Sequence, residues 1–175
     1  MSYTGSGMFA TATILVGSLA LGGQDPCVTL SRGDKSATQE CVDFEIQRLR
    51  DPRFAAAAVQ TLNGLGDAAV PALKAGLADS DASVRAGAAD ALGRIGPRLG
   101  RPRQKELALA LAKLLGDSEN RVRQETAAAL GRIGIEADAV IRALEIAVDD
   151  PDPGVRSFAK IALAKIRAAP RANNP

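Results

Sequence analysis

Three segments of this chain share one pattern, in which a Val-Arg pair precedes small residues, Ala-Leu and an Ile three positions on. The segments are SVRAGAADALGRIG at 83–96, RVRQETAAALGRIG at 121–134 and GVRSFAKIALAKI at 154–166. Self-similarity of this kind marks a repeat array, in which each unit buries its apolar face against its neighbours. The repetition therefore predicts an extended surface for holding something rather than a single enclosed pocket.

The composition favours packed helices over sheets. Hydrophobic residues make up 46% of the 175 residues, but aromatic residues only 3%, and there is no Trp. The apolar mass is therefore Ala, Leu, Val and Ile, with many small residues. This mixture suits closely packed helices better than a β-sandwich, so we expect an all-α protein.

Apolar residues recur at helical spacing across residues 36–169, which we interpret as one repeat domain. The predicted helices form four pairs, at 36–50 and 54–65, 70–78 and 83–95, 103–115 and 121–133, and 138–148 and 155–166. Asp-containing turns separate the two helices within a pair, and Gly-containing turns separate one pair from the next. The third pair is longer because of a Pro- and Arg-rich insertion at 97–105.

At this point the repeat resembles a known family. The pattern Asp-x-x-Val-Arg-x-x-Ala-Ala-x-Ala-Leu-Gly-x-Ile-Gly, preceded by VPALKAGL at 70–77, is similar to the HEAT repeat of the PBS-lyase HEAT-like class. The resemblance covers residues 51–166 and, more loosely, 36–50. It implies an α-solenoid, a right-handed superhelix of about four HEAT-like helix pairs. It specifies the fold and not the function, because such repeats serve many partners.

The resemblance also implies roles for particular residues. Arg85, Arg123 and Arg156 are expected to form a ladder, each bonding an Asp or a carbonyl of an adjacent repeat, although ligand contact is an alternative. The second helices of the pairs are expected to line the concave face. Exposed residues there are our candidates for contact with a protein partner: Asp90, Gln124, Glu125 and Lys160.

The N-terminal residues 1–23 differ from the repeats. Residues 8–21 form an uncharged apolar run, which is short for a membrane span and fits the hydrophobic region of a secretory signal peptide. We expect a cleaved signal, no membrane span after cleavage and an extracytoplasmic location (periplasm, lumen or secreted). An uncleaved anchor and a buried N-terminal helix are the alternatives, and without export the protein would be cytoplasmic.

Two cysteines lie in or beside the linker that we assign to residues 24–35. Cys27 and Cys41 are both outside the three repeated segments, and in an oxidising compartment they would form one disulfide. Two free thiols in a cytosolic protein are the alternative. Residues 170–175, PRANNP, are expected to be a disordered tail.

The chain lacks the residue types that most catalytic and metal sites need. It has no His, the commonest general base and metal ligand, so a Ser/His or Cys/His pair is excluded. Asp149, Asp150 and Asp152 lack the Gly and the distal Glu of an EF-hand loop. We therefore expect no catalytic residues, no cofactor and no metal.

One basic cluster exceeds what the repeat needs. It consists of five cations, here called the basic cluster: Arg94, Arg98, Arg101, Arg103 and Lys105. These side chains either lie on a solvated loop and near helix C-termini, where the helix dipole favours them, or form a patch that docks an anion. Nucleic acid is the weaker form of the second idea, because stacking aromatics are scarce and the net charge is only +2.

Taken together, these features predict a non-enzymatic protein-binding or scaffold module, exported from the cytoplasm. A bilin-lyase-like enzyme or lyase subunit is one alternative, which the absence of His and of a Cys within the repeats disfavours. An anion- or nucleic-acid-binding solenoid that uses the basic cluster is the other.

Overall fold

Helices dominate the part of the chain that the structure describes. The computed structural model describes residues 25–28 and 35–168. Its α-helices are α1 (Lys35–Arg48), α2 (Pro52–Leu65), α3 (Val70–Gly76), α4 (Ala82–Ile95), α5 (Arg101–Ala112), α6 (Asn120–Ile133), α7 (Asp138–Ala147) and α8 (Pro153–Ala168). Short 3₁₀ turns occur at Gly66–Ala69, Gly96–Arg98 and Lys113–Gly116.

The helices stack as two layers. The second helices of the four pairs, here called the inner helices, pack in series, with α2 against α4, α4 against α6 and α6 against α8. In the outer layer, α1 contacts α3 and α5 contacts α7. Within the described residues there is no β-strand. The predicted all-α solenoid of four helix pairs is confirmed.

Small residues let the inner helices approach one another closely. A Cβ added at Gly93 of α4 would lie 2.6 Å from the Ala129 backbone of α6, and one at Gly131 of α6 would lie 3.1 Å from the Ala162 backbone of α8. The repeated Leu and Ile residues of these helices lie beneath that crossing and are buried: Leu92, Ile95, Leu130, Ile133, Leu163 and Ile166. The repeated pattern is thus a packing pattern, in which Gly and Ala set the helix spacing and Leu and Ile fill the core.

Aspartates begin the inner helices. The carboxylates of Asp51 and Asp81 accept hydrogen bonds from the backbone N–H groups of Arg53 and Ser83, at 2.9 and 2.8 Å. Asp152 caps α8 in the same way, through the N–H of Val155 at 2.9 Å. These bonds satisfy amides that have no partner within their own helix, which fixes where α2, α4 and α8 start, whereas Glu119 before α6 makes no side-chain cap.

The insertion at 97–105 is more helical than the sequence suggested. Helix α5 begins at Arg101 rather than 103, because Pro102 in its first turn lacks an N–H that would otherwise need a partner. The helix ends at Ala112, and a 3₁₀ turn replaces the last predicted helical turn. The side chain of Leu99, from the insertion, is buried between α3 and α5.

Cys27 and Cys41 form a disulfide, which fastens residues 25–28 to the buried side of α1. The predicted signal peptide at 1–23, most of the linker and the tail at 170–175 lie outside the described residues. No helix among the described residues is both long enough and apolar enough to cross a membrane.

An arginine ladder links the turns of successive repeats. The guanidinium of Arg85 donates two hydrogen bonds to the Asp117 carboxylate of the next repeat, at 2.8 and 2.9 Å. Arg123 does the same to Asp150, at 2.8 and 3.0 Å. The remaining Nη1 of each arginine donates to two carbonyl oxygens of its own turn. Each fork-shaped guanidinium therefore ties one turn to the next.

The ladder differs from the expected one at its two ends. Arg156 donates only to carbonyl oxygens of its own turn, those of Asp150 and Pro151, because no further repeat follows it among the described residues. At the other end Arg50, which does not match the Val-Arg pattern, donates to Asp79 at 2.9 Å. The turn after α1 thereby joins the ladder through a residue that the repeat did not predict.

The ladder lowers the pKa of its acids. The hydrogen bonds from Arg85 hold the pKa of Asp117 below its ordinary value of 3.8, and those from Arg123 do the same for the pKa of Asp150. A carboxyl whose pKa falls on folding stabilises the fold fully above its unfolded-state pKa. That stabilisation is lost as the pH falls through the folded-state pKa.

We predict that Arg85→Ala lowers the free energy of unfolding by about 1–3 kcal/mol, because it removes both guanidinium donors of the largely buried Asp117 carboxylate and leaves it only the backbone N–H of Glu119. Arg156→Ala is the matched control and should cost less, since it breaks no bond between repeats. Asp117→Asn should also weaken the acid dependence of stability below pH 4, measured by urea unfolding across a pH series. Equal losses for the two arginine variants, together with an unchanged acid dependence, would contradict this account of the ladder.

Candidate functional site

A groove runs along the face of the inner helices. Its cavity has a volume of about 250 Å³ and is lined by residues of α2 and α4, with Arg121 and Glu125 of α6 at one side. The lining from α2 and α4 is mostly small: Pro52, Ala55, Ala56, Val59, Ser83, Ala86, Gly87 and Asp90. We call this the inner groove. Small side chains leave the backbones of these helices open to an approaching chain.

Glu125 is the carboxylate of the inner groove that makes no ion pair with a described residue. It is partly buried, and this burial raises the pKa of its carboxyl, as does the nearby charge of Asp90. Within the described residues, its carboxylate makes no hydrogen bond or ion pair, although Arg132, Arg121 and Arg94 lie near enough to act on it electrostatically. A half-buried carboxylate without a donor is costly to the free protein, so a donor supplied by a ligand would be favourable.

Asp90, in contrast, is bound by two arginines of the fold. Its carboxylate accepts two bonds from Arg94, one helical turn away, and a bond of 2.8 Å from Arg132 of the next repeat. The ion pairs leave the Asp90 side chain mostly buried. We expected Asp90 to be exposed for contact with a partner, and this expectation of exposure was wrong.

The candidate contact residues Gln124 and Lys160 lie in different surroundings. Gln124 is also only partly exposed, because its amide donates to Asp152 at 2.7 Å and so helps to hold two repeats together. Lys160 is exposed, but it takes the repeat position of Ala89 and Ala127, which are fully buried. Its side chain therefore lies on the side of α8 that no described helix covers, rather than in the inner groove. Of the four candidates, only Glu125 lines the groove with its polar atoms unpaired.

Two apolar residues extend the groove face onto α8. Phe158 takes the repeat position of Glu125 and Gly87, and Ile161 takes that of Asp90, so both continue the same face. They are 41% and 48% exposed. Large apolar side chains that a solenoid leaves open on its inner face are typical anchors for a protein partner. The sequence does contain a signal for Phe158 and Ile161, because the equivalent repeat positions hold small or polar residues in α4 and α6 and large apolar residues in α8.

The basic cluster does not form one free patch. Arg94 is paired with Asp90, Arg98 donates to the backbone and side-chain oxygens of Asn63, and Arg103 pairs with Asp67 at 2.7 Å. Arg101 and Lys105 are exposed and make no ion pair with any residue the structure describes. Three of the five cations thus fasten the insertion and neighbouring helices, which sequence alone did not indicate.

A larger cavity lies on the outer side of the molecule, between α3 and α5. Its volume is about 410 Å³, and its lining includes Val70, Pro71, Leu99 and Leu107. Two ion pairs, Lys74 with Glu106 and Arg103 with Asp67, cross between the repeats here. Leu99 of the insertion is part of this lining, and the cavity lies between outer helices, away from the expected partner face.

Comparisons with known proteins agree on the repeat. The family model for HEAT repeats matches residues 42–102 and 98–164. Human deoxyhypusine hydroxylase, solved in complex with glycerol, is similar over 72% of this chain and 43% of its own, with 27% sequence identity and a TM-score of 0.53. An engineered protein of solved structure is 24% identical over 81% of this chain and 60% of its own, with a TM-score of 0.49.

The chain spans less than half of the length of the hydroxylase. A search of curated protein sequences found no match. The matched family segments run from α1 through most of α8 and cover well over half of the chain. They contain the stacked inner helices and the complete arginine ladder described above. The chain therefore belongs to the HEAT-repeat family.

Proposed function

We propose that this protein is a non-enzymatic protein-binding module, and that the partner lies along the inner groove and the exposed side of α8. The observation that carries the proposal is the groove lined by small residues of α2 and α4 and by Glu125 of α6, together with the exposed Phe158 and Ile161 at the equivalent repeat positions of α8. Packing explains the buried side chains of these helices, but it does not require Phe158 and Ile161 to be exposed.

The chemistry of this face favours a polypeptide. Small groove residues admit a backbone or a side chain at close range, Phe158 and Ile161 offer apolar contact, and Glu125 can accept a hydrogen bond from an N–H donor. Nucleic acid needs several cations that are free to bind phosphate, whereas Arg94 and Arg132 on this side are both bound to Asp90, and Arg121 is the one groove-lining arginine without an ion pair to a described residue. We therefore infer a protein partner that presents an apolar segment with at least one N–H or cationic donor.

The absence of histidine from the sequence supports a binding role over a catalytic one. In the inner groove Asp90 is ion-paired with two arginines, so Glu125 is the carboxylate there that makes no ion pair with a described residue. General acid–base chemistry needs a second titratable group that is free to exchange a proton, and Asp90 is bound by arginines instead. The hydroxylase that resembles this chain is an enzyme by name, and only its fold enters the argument.

To test the partner surface, we would compare Ala56→Trp with Ala57→Trp. Both alanines are exposed on α2, but only Ala56 lines the inner groove. Phe158→Ala would be compared with Phe44→Ala, because Phe44 is similarly exposed, at 38%, on the outer helix α1. The immobilised variants would capture proteins from extracts of the native host, with quantitative mass spectrometry as the readout.

We expect the proteins captured by the wild type to be reduced by Ala56→Trp and Phe158→Ala and retained by both controls. Far-UV circular dichroism would show that each variant keeps its helices. Reversal of Arg101 and Lys105 to Glu tests the rival anion patch with the two cations that the fold does not use. Capture that survives the groove variants but disappears after this reversal would contradict the proposed surface.

We also propose that the protein is exported. The apolar run at 8–21 supports a signal peptide, and the Cys27–Cys41 disulfide supports an oxidising compartment. Intact-mass analysis of protein from the native host should show a mature chain that starts near Gly23. A mature chain that still carries Met1 or Ser2 would contradict export.

A further inference from the structure

Arg156, the last arginine of the ladder, is held by its own turn in the same way as the two arginines that bind an aspartate of the following repeat. Its Nη1 donates to the carbonyl oxygens of Asp150 and Pro151, both at 2.8 Å. Arg85 and Arg123 use the same nitrogen to bind two carbonyl oxygens of their own turns, at 2.8 to 3.1 Å. Because a guanidinium is planar and rigid, these bonds also fix the direction of its other donors.

The Nε and Nη2 atoms form the edge of each guanidinium that binds a carboxylate. In Arg85 and Arg123 these two atoms donate to the two oxygens of one aspartate, at 2.8 to 3.0 Å. The same two atoms of Arg156 make no hydrogen bond with a described residue. Arg156 therefore presents a carboxylate-binding edge of the kind that the molecule itself uses twice.

Helix α8 carries cations and no acidic residue, whereas α4 and α6 each contain one acid. Arg167 near its end pairs with Glu145 of α7. The other three cations of α8 make no ion pair with a described residue, and they are Arg156, Lys160 and Lys165. Residues 169–175 contain no Asp or Glu either. The last described helix is thus a basic one, and it complements a negatively charged partner.

The side of α8 that no described helix covers is the side on which each earlier inner helix receives the next one. Ala164 takes the repeat position of Gly93 and Gly131, which lie against the backbone of the following inner helix. Ala164 and Lys160 are both exposed. We call this side the end face, and it consists of Arg156, Ser157, Lys160 and Ala164. The small Ala164 lets another backbone approach closely.

A second copy of this chain does not offer the carboxylate that Arg156 would bind. The ladder aspartates stand three residues before the first residue of an inner helix, as Asp117 and Asp150 do for α6 and α8. Leu49 holds that position before α2, so the first turn of another copy presents no acid there. Two end faces placed against each other would bring like charges together. A different polypeptide is therefore the better occupant.

We propose that the end face docks an acidic turn of another polypeptide, with one Asp or Glu carboxylate bound by the Nε and Nη2 atoms of Arg156. Lys160, one helical turn further along α8, adds a second positive charge beside it. The carbonyl bonds of Arg156 already hold its guanidinium, so binding requires little further ordering of that side chain.

This docking does not rest on the proposed function. The inner groove is built by α2, α4 and α6, whereas the end face belongs to α8 alone. Either surface can be occupied without the other, and the variants used for one surface serve as controls for the other.

The probe for the end face is the acetylated and amidated peptide AVDDPDPG, which copies residues 147–154 and contains the Asp150 turn that Arg123 binds. It would be titrated into ¹⁵N-labelled protein while the arginine Nε–H signals are recorded by NMR. The signal of Arg156 should move toward that of Arg123, and the signal of Arg142, exposed on the outer helix α7, should not move. Equal movement of the two signals would overturn the proposal, because it would show only a general attraction of the peptide to cations.

Variants separate the shape of the guanidinium from its charge. Arg156→Gln should weaken peptide binding by about tenfold or more, because a charge-assisted pair of hydrogen bonds is lost. Arg156→Lys should also weaken it, since an ammonium cannot form the two parallel bonds. Arg142→Gln is the matched control and should bind like the wild type. Binding by Arg156→Lys at wild-type affinity would overturn the role of the two-atom edge.

Two further measurements distinguish the end face from the groove and from self-association. Ala56→Trp and Phe158→Ala should leave peptide binding unchanged, so a failed groove proposal and a failed end-face proposal give different results. Sedimentation velocity should give the same mass for the wild type and for Arg156→Gln. A wild-type dimer that Arg156→Gln dissociates would make a second copy the occupant and overturn the proposal.

Discussion

The close approach of successive inner helices is the constraint on which the rest of this structure depends. Gly93 and Gly131 lie against the backbones of Ala129 and Ala162, at separations that a Cβ would not permit without movement. Because the crossing is made without side chains, each inner helix can lie directly beside the next. A different set of small residues, which includes Ala55, Ala56 and Ala86, lines the inner groove and leaves the open side of α2 and α4 low.

The arginine ladder keeps this stack in register at its turn end. Arg85 and Arg123 each connect a turn to the aspartate of the following repeat, while Gly and Ala set the distance between the helices themselves. The ladder acts at the turns through directed hydrogen bonds, whereas the Gly and Ala residues act along the helices through their small size. A stack held in both ways does not rely on burying Phe158 and Ile161, which lie exposed on α8.

The sequence was sufficient for the fold, because the repeat encodes packing that each unit performs alike. It predicted four helix pairs and the bonds of Arg85 and Arg123 between repeats. It did not predict that Asp90 would form ion pairs with Arg94 and Arg132, because the choice of partner depends on which cation of a neighbouring repeat lies within reach. The residues that face the groove differ from one repeat to the next, so the shared pattern does not predict them.

The position of a repeat in the stack decides what a side chain can do. Lys160 matches buried alanines of earlier repeats and is exposed only because α8 is the last helix described, a fact that only the complete arrangement shows. The surroundings of Glu45 likewise follow only from the folded arrangement. Helical spacing places it on the buried side of α1, but it does not predict that the sulfur of Cys27 lies opposite.

The central claim is that the face of the inner helices, and not the outer layer, holds the partner. Hydroxyl-radical footprinting of the protein with and without a captured partner measures this directly, because it reports the accessibility of individual side chains. Phe158 and Ile161 should be protected in the complex, while Phe44 of α1 and Ile146 of α7, both exposed on the outer helices, should react as in the free protein. Protection of Phe44 and Ile146 with unchanged Phe158 and Ile161 would contradict the account.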